Sequence, residues 1–271
     1  MKTYLNFCTN LTEQIFNIID EKGSLLKWQK NWDGEGTKGL PCGGSGFYHG
    51  ANLFSLLYAQ WKYGFKNNSW LTFNQVNKKG GIVKKGAKSQ EVFFWKLIEV
   101  SEEEETKKAP IFKIYRVFNL EQTTLEDKQE VINNGDIESL IAKLGINISH
   151  FGGEAYYSGD TDSIILPSKE RFDSEDNYLA TLLHELIHWT AKEERLPREC
   201  FKNYRRDNKA RAEEELIAEI GSVFLAIHYG IKGELENHAS YIQGWKSLLT
   251  EKEVMRAANM AAKAFAWIVK A

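Results

Sequence analysis

His184 and His188 stand four residues apart, with Glu185 directly after the first, in Thr181-Leu182-Leu183-His184-Glu185-Leu186-Ile187-His188-Trp189. On a helix, positions i and i+4 share a face, so both imidazoles can reach one ion. The glutamate then lies close enough to take a proton from the water that such an ion holds. The surroundings predict a helix. Ser174 can cap it, and Glu175 and Asp176 fall in the first turn, where the helix dipole favours acids. Leu179, Leu182, Leu183, Leu186 and Ile187 follow the i, i+3, i+4, i+7, i+8 pattern and form one apolar stripe, with both histidines off it. Uncharged neighbours suit a buried metal. This part of the chain is thereby committed to a buried helix that must face a second ligand-bearing element.

A catalytic zinc keeps three protein ligands and an open fourth position, the arrangement of a zincin-type metallopeptidase. The best source of the third ligand is a second strong helix running from Ala210 to Tyr229, with Leu216, Ile220, Val223, Phe224 and Ile227 on its apolar face. At 100° per residue, Glu215, Glu219, Ser222 and Ala226 line a neighbouring stripe, beside Ala218. Small residues there allow a close approach to the HExxH helix. Glu214 points away from that stripe, so Glu215 is the expected ligand. Glu219, one turn on, is expected to orient a histidine through its free ring nitrogen. The ExxxE spacing resembles the ExxxD of gluzincins, and exchange of roles between Glu215 and Glu219 stays open. Tyr157 and His238 are candidates for stabilising an oxyanion, with Tyr156, Tyr241 and His228 behind them. His49 and His150 have no metal-ligand spacing.

Met1 to Asp20 includes Glu13 and Asp20 and has no apolar core, so no signal peptide is expected. No apolar run approaches the ~20 residues that span a membrane. Cys8, Cys42 and Cys200 are odd in number and widely spaced, which argues against a disulfide framework and for a reducing cytoplasm. The net charge of −2 hides an asymmetry: residues 1–128 carry 18 Lys+Arg against 14 Asp+Glu, and the remainder 17 against 23. Between Lys22 and Ile98 the balance is 12 basic to three acidic residues, so an anionic partner is expected on that region.

Basic residues there interleave with aromatics. Trp28 and Trp32 frame Lys27 and Lys30; Phe47, Tyr48 and His49 sit in a Gly-rich stretch, Gly34 to Gly50; Trp70 and Phe73 precede Lys78, Lys79, Lys84, Lys85 and Lys88. Lysines and backbone amides can meet phosphates, and exposed aromatics can stack on unpaired bases, which favours single-stranded over duplex nucleic acid. Helices are expected over Leu11–Lys27, Ala51–Tyr63 and Phe73–Lys79. A hairpin is expected from Val92–Val100 and Ile111–Asn119 around a charged loop, then a linker over Glu121–Gln129. The second block should hold a short helix over Ile137–Leu144, strands at Glu154–Tyr157 and Ser163–Leu166, and a long C-terminal helix over Ala239–Lys270. Ser163–Leu166 is the expected free edge for an extended peptide.

Taken in order, these segments resemble the ArdC-type antirestriction proteins, related to the "polyvalent" proteins of phages and conjugative elements. In the first block the resemblance lies in Leu26-Lys-Trp28-Gln-Lys-Asn-Trp32, Phe47-Tyr-His-Gly-Ala-Asn52, Trp70-Leu-Thr-Phe-Asn-Gln75, Gly80-Gly-Ile-Val-Lys-Lys-Gly86 and Val117-Phe-Asn-Leu-Glu-Gln122. In the second it lies in Ala155-Tyr-Tyr, Asp162-Ser-Ile-Ile-Leu-Pro167, Thr181 to Thr190, Glu214-Glu-Leu-Ile-Ala-Glu219 and His238-Ala-Ser-Tyr-Ile. The resemblance implies a single-stranded-DNA-binding domain joined to a zincin-like metallopeptidase domain, and protection of incoming element DNA from restriction. His49 stands where the family usually has arginine, and the acidic Glu102–Glu105 loop would repel DNA if it faced the groove.

The expectation is an α+β protein of two domains, a small α+β single-stranded-DNA-binding domain (1–128) and a mainly helical metallopeptidase domain with a small sheet (129–271). One Zn2+ per chain would be held by His184, His188 and Glu215, with Glu185 as general base. The DNA face would comprise Trp28, Trp32, Tyr48, Asn52, Trp70, Lys78, Lys79, Lys84, Lys85 and Lys88. The partners would be single-stranded DNA and a protein substrate, with no membrane. The rivals are a non-catalytic shielding protein with a structural metal, and a metallopeptidase whose first domain binds protein.

Overall fold

The computed structural model describes residues 2–25, 39–102, 105–126, 136–233 and 239–270. The first half begins with α1 (Lys2–Lys22), a two-residue hairpin β1 (Cys42–Gly43) and β2 (Gly46–Phe47), and α2 (Ala51–Tyr63). Then come β3 (Trp70–Thr72), α3 (Phe73–Lys78), β4 (Gln90–Glu102) and β5 (Glu105–Asn119). The last three strands form an antiparallel sheet in the order β3-β5-β4. The expected charged loop is shorter than its sequence suggests, because Ser101↔Thr106 and Glu102↔Glu105 continue the ladder. The expected linker is partly packed: Thr123 bridges to Val83, and Thr124 donates its amide to Ile82.

The second half comprises α4 (Ile137–Leu144), β6 (Asn147–His150), β7 (Tyr156–Ser158), β8 (Ser163–Leu166), α5 (Glu175–Trp189), α6 (Glu199–Lys202), α7 (Asn208–Tyr229), α8 (Ala239–Leu248) and α9 (Glu251–Lys270). Its sheet runs β6-β8-β7, parallel on one side and antiparallel on the other. Ser163–Leu166 is therefore the central strand, correcting its expected place at the edge. Burial on both faces explains its continuous apolar run. The strand beside it toward α5 is β7. The expected long C-terminal helix is divided at Leu249-Thr250, where Thr250 donates to Glu253 and its backbone amide is capped by the same carboxylate at 2.9 Å.

One apolar core runs through both halves. Phe7, Leu11 and Ile15 of α1, and Leu53 and Phe54 of α2, join Leu183, Leu186, Leu216, Phe224, Ala258 and Phe265 in a single cluster. The helix carrying the HExxH segment forms as expected: Ser174 accepts from the Asn177 amide at 3.1 Å, and the apolar stripe is buried from Leu182 to Ile187, with Leu179 half-buried at its start. It packs on α7 at Gly221, where a Cβ would come within 2.7 Å of Ile187 Cδ1. The missing side chain at that position leaves room for Ile187 between the two helices.

Candidate metal centre and nucleic-acid interface

Two helices bring three buried donors together. His184 Nε2 and His188 Nε2 of α5 are 3.2 Å apart, and Glu215 Oε2 of α7 lies 3.4 Å from the first and 3.9 Å from the second. Among the described residues these three form the group that could hold a metal ion. A tetrahedral ion with bonds of ~2.0–2.1 Å has ligand atoms about 3.4 Å apart. The separations fit that ion, and two imidazoles with one carboxylate are donors that suit zinc.

Electrostatics reinforce the arrangement. Burial alone would raise Glu215, but the hydrogen bond from His184 and the charge of His188 hold it well below the usual carboxylate range. Burial likewise opposes charge on His188, yet its bond to Glu214 and the nearby Glu215 raise it to about 9. Glu185 is pushed up to about 7, mainly by burial, against the opposing influence of His188. Its carboxyl also accepts from the backbone amide of Tyr157, which ties it to β7.

The carboxylate that orients a histidine is Glu214, at 2.9 Å from His188 Nδ1. This corrects the expectation for both Glu214 and Glu219. A chain segment from Ala191 to Asp207 covers the outer face of α7, so the residue 100° from Glu215 meets protein rather than solvent. Arg198 of that segment grips Glu214 with two bonds of 2.7 Å and reaches the Ile187 carbonyl at 2.8 Å. Glu219 instead accepts from the Leu25 amide at 3.3 Å through one oxygen, while the other has no hydrogen-bond partner among the described residues. Burial pushes it up to about 8.

Tyr157 does not offer a free hydroxyl: the group donates to Asp162 at 2.9 Å and accepts from Arg195 at 3.2 Å. Its contribution to the site is the backbone amide at Glu185. His238 lies outside the described residues, as does the side chain of Tyr241. His228 is packed against Phe47, Tyr229 and Phe265, and His150 meets the Tyr178 hydroxyl at 3.0 Å. The tyrosine that reaches the donors is Tyr204, whose hydroxyl donates to Glu215 Oε1. It sits in a turn without ligand-like spacing, so no sequence signal marked it.

In the first half, a groove of about 710 Å3 lies between the glycine-rich β1–β2 hairpin, the start of α3 and one face of the β4–β5 ladder. Its lining includes Tyr48, His49, Phe94, Lys113 and Tyr115. Phe94 and Tyr115 are 45% and 41% exposed and meet edge to face at 5.4 Å. Burial pushes Tyr48 up to about 12, so it stays a neutral donor, bonded to the Trp70 carbonyl at 3.2 Å.

Two expected DNA contacts are corrected. Trp70 is fully buried, with its indole nitrogen donating to Gln60 at 3.2 Å. Asn52 is also buried and clamps β4, bonding both the amide and the carbonyl of Phe93. Lys78, Lys79, Lys84, Lys85 and Lys88 are exposed, and Lys84 reaches the Glu121 carbonyl at 2.9 Å. Trp28 and Trp32 lie outside the described residues. Phe94, Lys113 and Tyr115 were missed, although the register Val92↔Tyr115 and Phe94↔Lys113 puts them on one face by simple alternation.

Residues 6–118 match the N-terminal domain of anti-restriction factor ArdC, and residues 135–261 match the zincin-like metallopeptidase family MPTase-PolyVal. The crystal structure of the antirestriction ArdC protein from R388 plasmid, metal-free, has a TM-score of 0.78 at 31% identity, covering 96% of both chains. The chain belongs to the ArdC-like family. The Mn(II)-bound structure of the R388 protein is also similar, with a TM-score of 0.75, 28% identity and 97% coverage of both chains. Two Escherichia coli proteins described as DNA primase TraC are 33% and 34% identical over 89% and 93% of this chain. This ArdC-like chain spans only 18% and 26% of their lengths. An uncharacterized protein, y4eC of Sinorhizobium fredii, is 28% identical over 95% of this chain and 90% of its own. The ArdC-like architecture is thus two domains of α+β type, with a zincin-like fold suited to a divalent metal. Among the described residues no helix is long and apolar enough to cross a membrane.

Proposed function

We propose that this chain is a single-stranded-DNA-binding protein of the antirestriction type that carries a zinc-dependent peptidase site, acting on protein near incoming mobile-element DNA. The observation that carries the reading is the convergence of His184, His188 and Glu215 within ligand distance of one another, beside a buried Glu185.

Zinc bound there would supply the acidity that makes water a nucleophile near neutral pH. Glu185, buried beside the three donors, would take the proton from the attacking water and return it to the product. Glu214, with Arg198 behind it, holds the His188 ring so that Nε2 faces the other donors. The groove supports the nucleic-acid part: aromatic faces, Lys113 and exposed lysines suit an unpaired strand better than a duplex. One zinc per chain and a cytoplasmic setting belong to the same proposal, with the domains meeting near residue 128.

The test is elemental analysis of the wild type beside His184→Ala, followed by peptide cleavage by Glu185→Gln. About one zinc in the wild type and none in His184→Ala supports the centre. Zinc retained with cleavage lost in Glu185→Gln supports the peptidase, and full cleavage by that variant sinks it. Protection from restriction that survives in Glu185→Gln would favour a shielding role for the bound strand.

A further inference from the structure

The two oxygens of the Glu215 carboxylate have different partners. Oε2 faces His184 and His188 at 3.4 and 3.9 Å, while Oε1 accepts from the Tyr204 hydroxyl. A phenol facing an ionised carboxylate can only be the donor, so this bond uses a lone pair that a cation would otherwise attract. Tyr204 is itself held in place. The Arg211 guanidinium lies 5.3 Å over its ring, and the rings of His188 and Phe201 lie 6.1 and 6.3 Å away.

A carboxylate with both oxygens free can close over a cation with the pair, which raises the coordination number and suits ions that prefer six or more oxygen-rich ligands. A carboxylate with one oxygen already accepting a hydrogen bond offers that oxygen less readily, which favours ligation through the other alone. We propose that Tyr204 is a positioning residue of the metal centre: it favours ligation of Glu215 through Oε2 alone and so biases the site toward a four-coordinate ion such as zinc over six-coordinate manganese. This rests on Glu215 being the third ligand, as in the function proposed above. The residue acts through Glu215 rather than on substrate. It leaves the fourth position of a His2Glu set open for water.

The experiment compares wild type with Tyr204→Phe, which removes one hydroxyl. Thermal melts of both metal-free proteins check the fold. Each is then loaded with Co2+, whose visible absorption is strong when four-coordinate and weak at higher coordination. The zinc-to-manganese affinity ratio is measured by competition. The expected result is weaker cobalt absorption in Tyr204→Phe and a ratio lowered by about tenfold. An unchanged spectrum and ratio overturn the proposal. X-ray absorption of zinc-loaded wild type tests it without mutation, and two-oxygen ligation by the carboxylate there overturns it even if the variant does not fold. A wild type that binds neither cobalt nor zinc removes the metal-centre reading itself, and this proposal falls with it.

Discussion

The Nδ1 nitrogen of His188 and the carboxylate of Glu214 lie 2.9 Å apart in a buried pair that the guanidinium of Arg198 closes from behind. The same arginine binds the Ile187 carbonyl in the last turn of α5, so one residue secures both the histidine's partner and the end of its helix.

Replacing Glu214 with Gln removes the charge while keeping the shape. Arg198 then stays buried without its counter-ion, a loss of about 3–5 kcal/mol when a buried pair is broken. Zinc affinity should fall ~10–100-fold, as for other partners of ligating histidines. Urea unfolding and zinc titration check the two effects separately. An unchanged affinity would show that Glu214 only supports Arg198.

Metal-free protein should lose stability as pH rises from about 4.5 to about 9. Glu185 at about 7, Glu219 at about 8 and His188 at about 9 all lie above their ordinary values, so the folded chain holds protons that the unfolded chain has released. Their contribution is full below the unfolded values of 4.5 for the carboxyls and 6.5 for the imidazole, and is lost progressively from there until pH has risen through each folded value. Zinc displaces the histidine proton, so apparent affinity should rise by up to about tenfold per pH unit below 9. Urea midpoints with chelator and with zinc test this, and a metal-free midpoint that rises toward pH 9 contradicts it.

The first half should separate folding from binding. Trp70→Ala deletes a fully buried indole and should cost about 3–5 kcal/mol of stability. Tyr115→Ala and Phe94→Ala should leave the melting temperature nearly unchanged and weaken single-stranded-DNA binding by ~1–3 kcal/mol each. Lys85→Ala should weaken binding regardless of sequence and reduce its salt dependence. Thermal melts read the stability effects, and fluorescence anisotropy at several salt concentrations reads the binding effects. Full binding by Tyr115→Ala would move the strand off this groove.

Gly221→Ala adds a methyl that would stand 2.7 Å from Ile187 Cδ1, so the Ile187 side chain must shift or α5 and α7 must part. About 1–3 kcal/mol of stability should be lost. Because these helices carry the three donors, metal affinity should fall as well, whereas an overpacked site remote from the centre would leave it intact. Calorimetric zinc titration of the folded variant distinguishes the two.

What the sequence made legible was the part written in short-range spacing. The HExxH repeat, the Ser174 cap and the apolar stripe of α5 all lie within one helix, and so does the pairing of Glu215 with its own apolar face. Trp70 and Asn52 misled because aromatic or amide character does not say which face of an element is covered. Glu214 and Tyr204 stayed hidden for a related reason: Arg198, which holds Glu214, and Tyr204 itself come from the turns after α5, whose path over α7 is a tertiary fact. The shared core was equally invisible, since the charge contrast between the halves says nothing about whether α1 packs on α9.

Glu213, Glu214 and Glu215 are chemically identical neighbours, yet Glu213 holds Arg256 at 2.8 Å, Glu214 holds His188 and Arg198, and Glu215 faces the metal donors. Their identities are set by phase alone. Losing a single residue of α7 just after Glu215 would turn the three acids by about 100° against the buried apolar face that follows, moving each into its neighbour's place. The composition would be almost untouched, while an arginine clamp, a histidine support and a ligand would all change hands. In this molecule a one-residue deletion at Leu216 would be a more severe edit than a substitution at any one of the three glutamates.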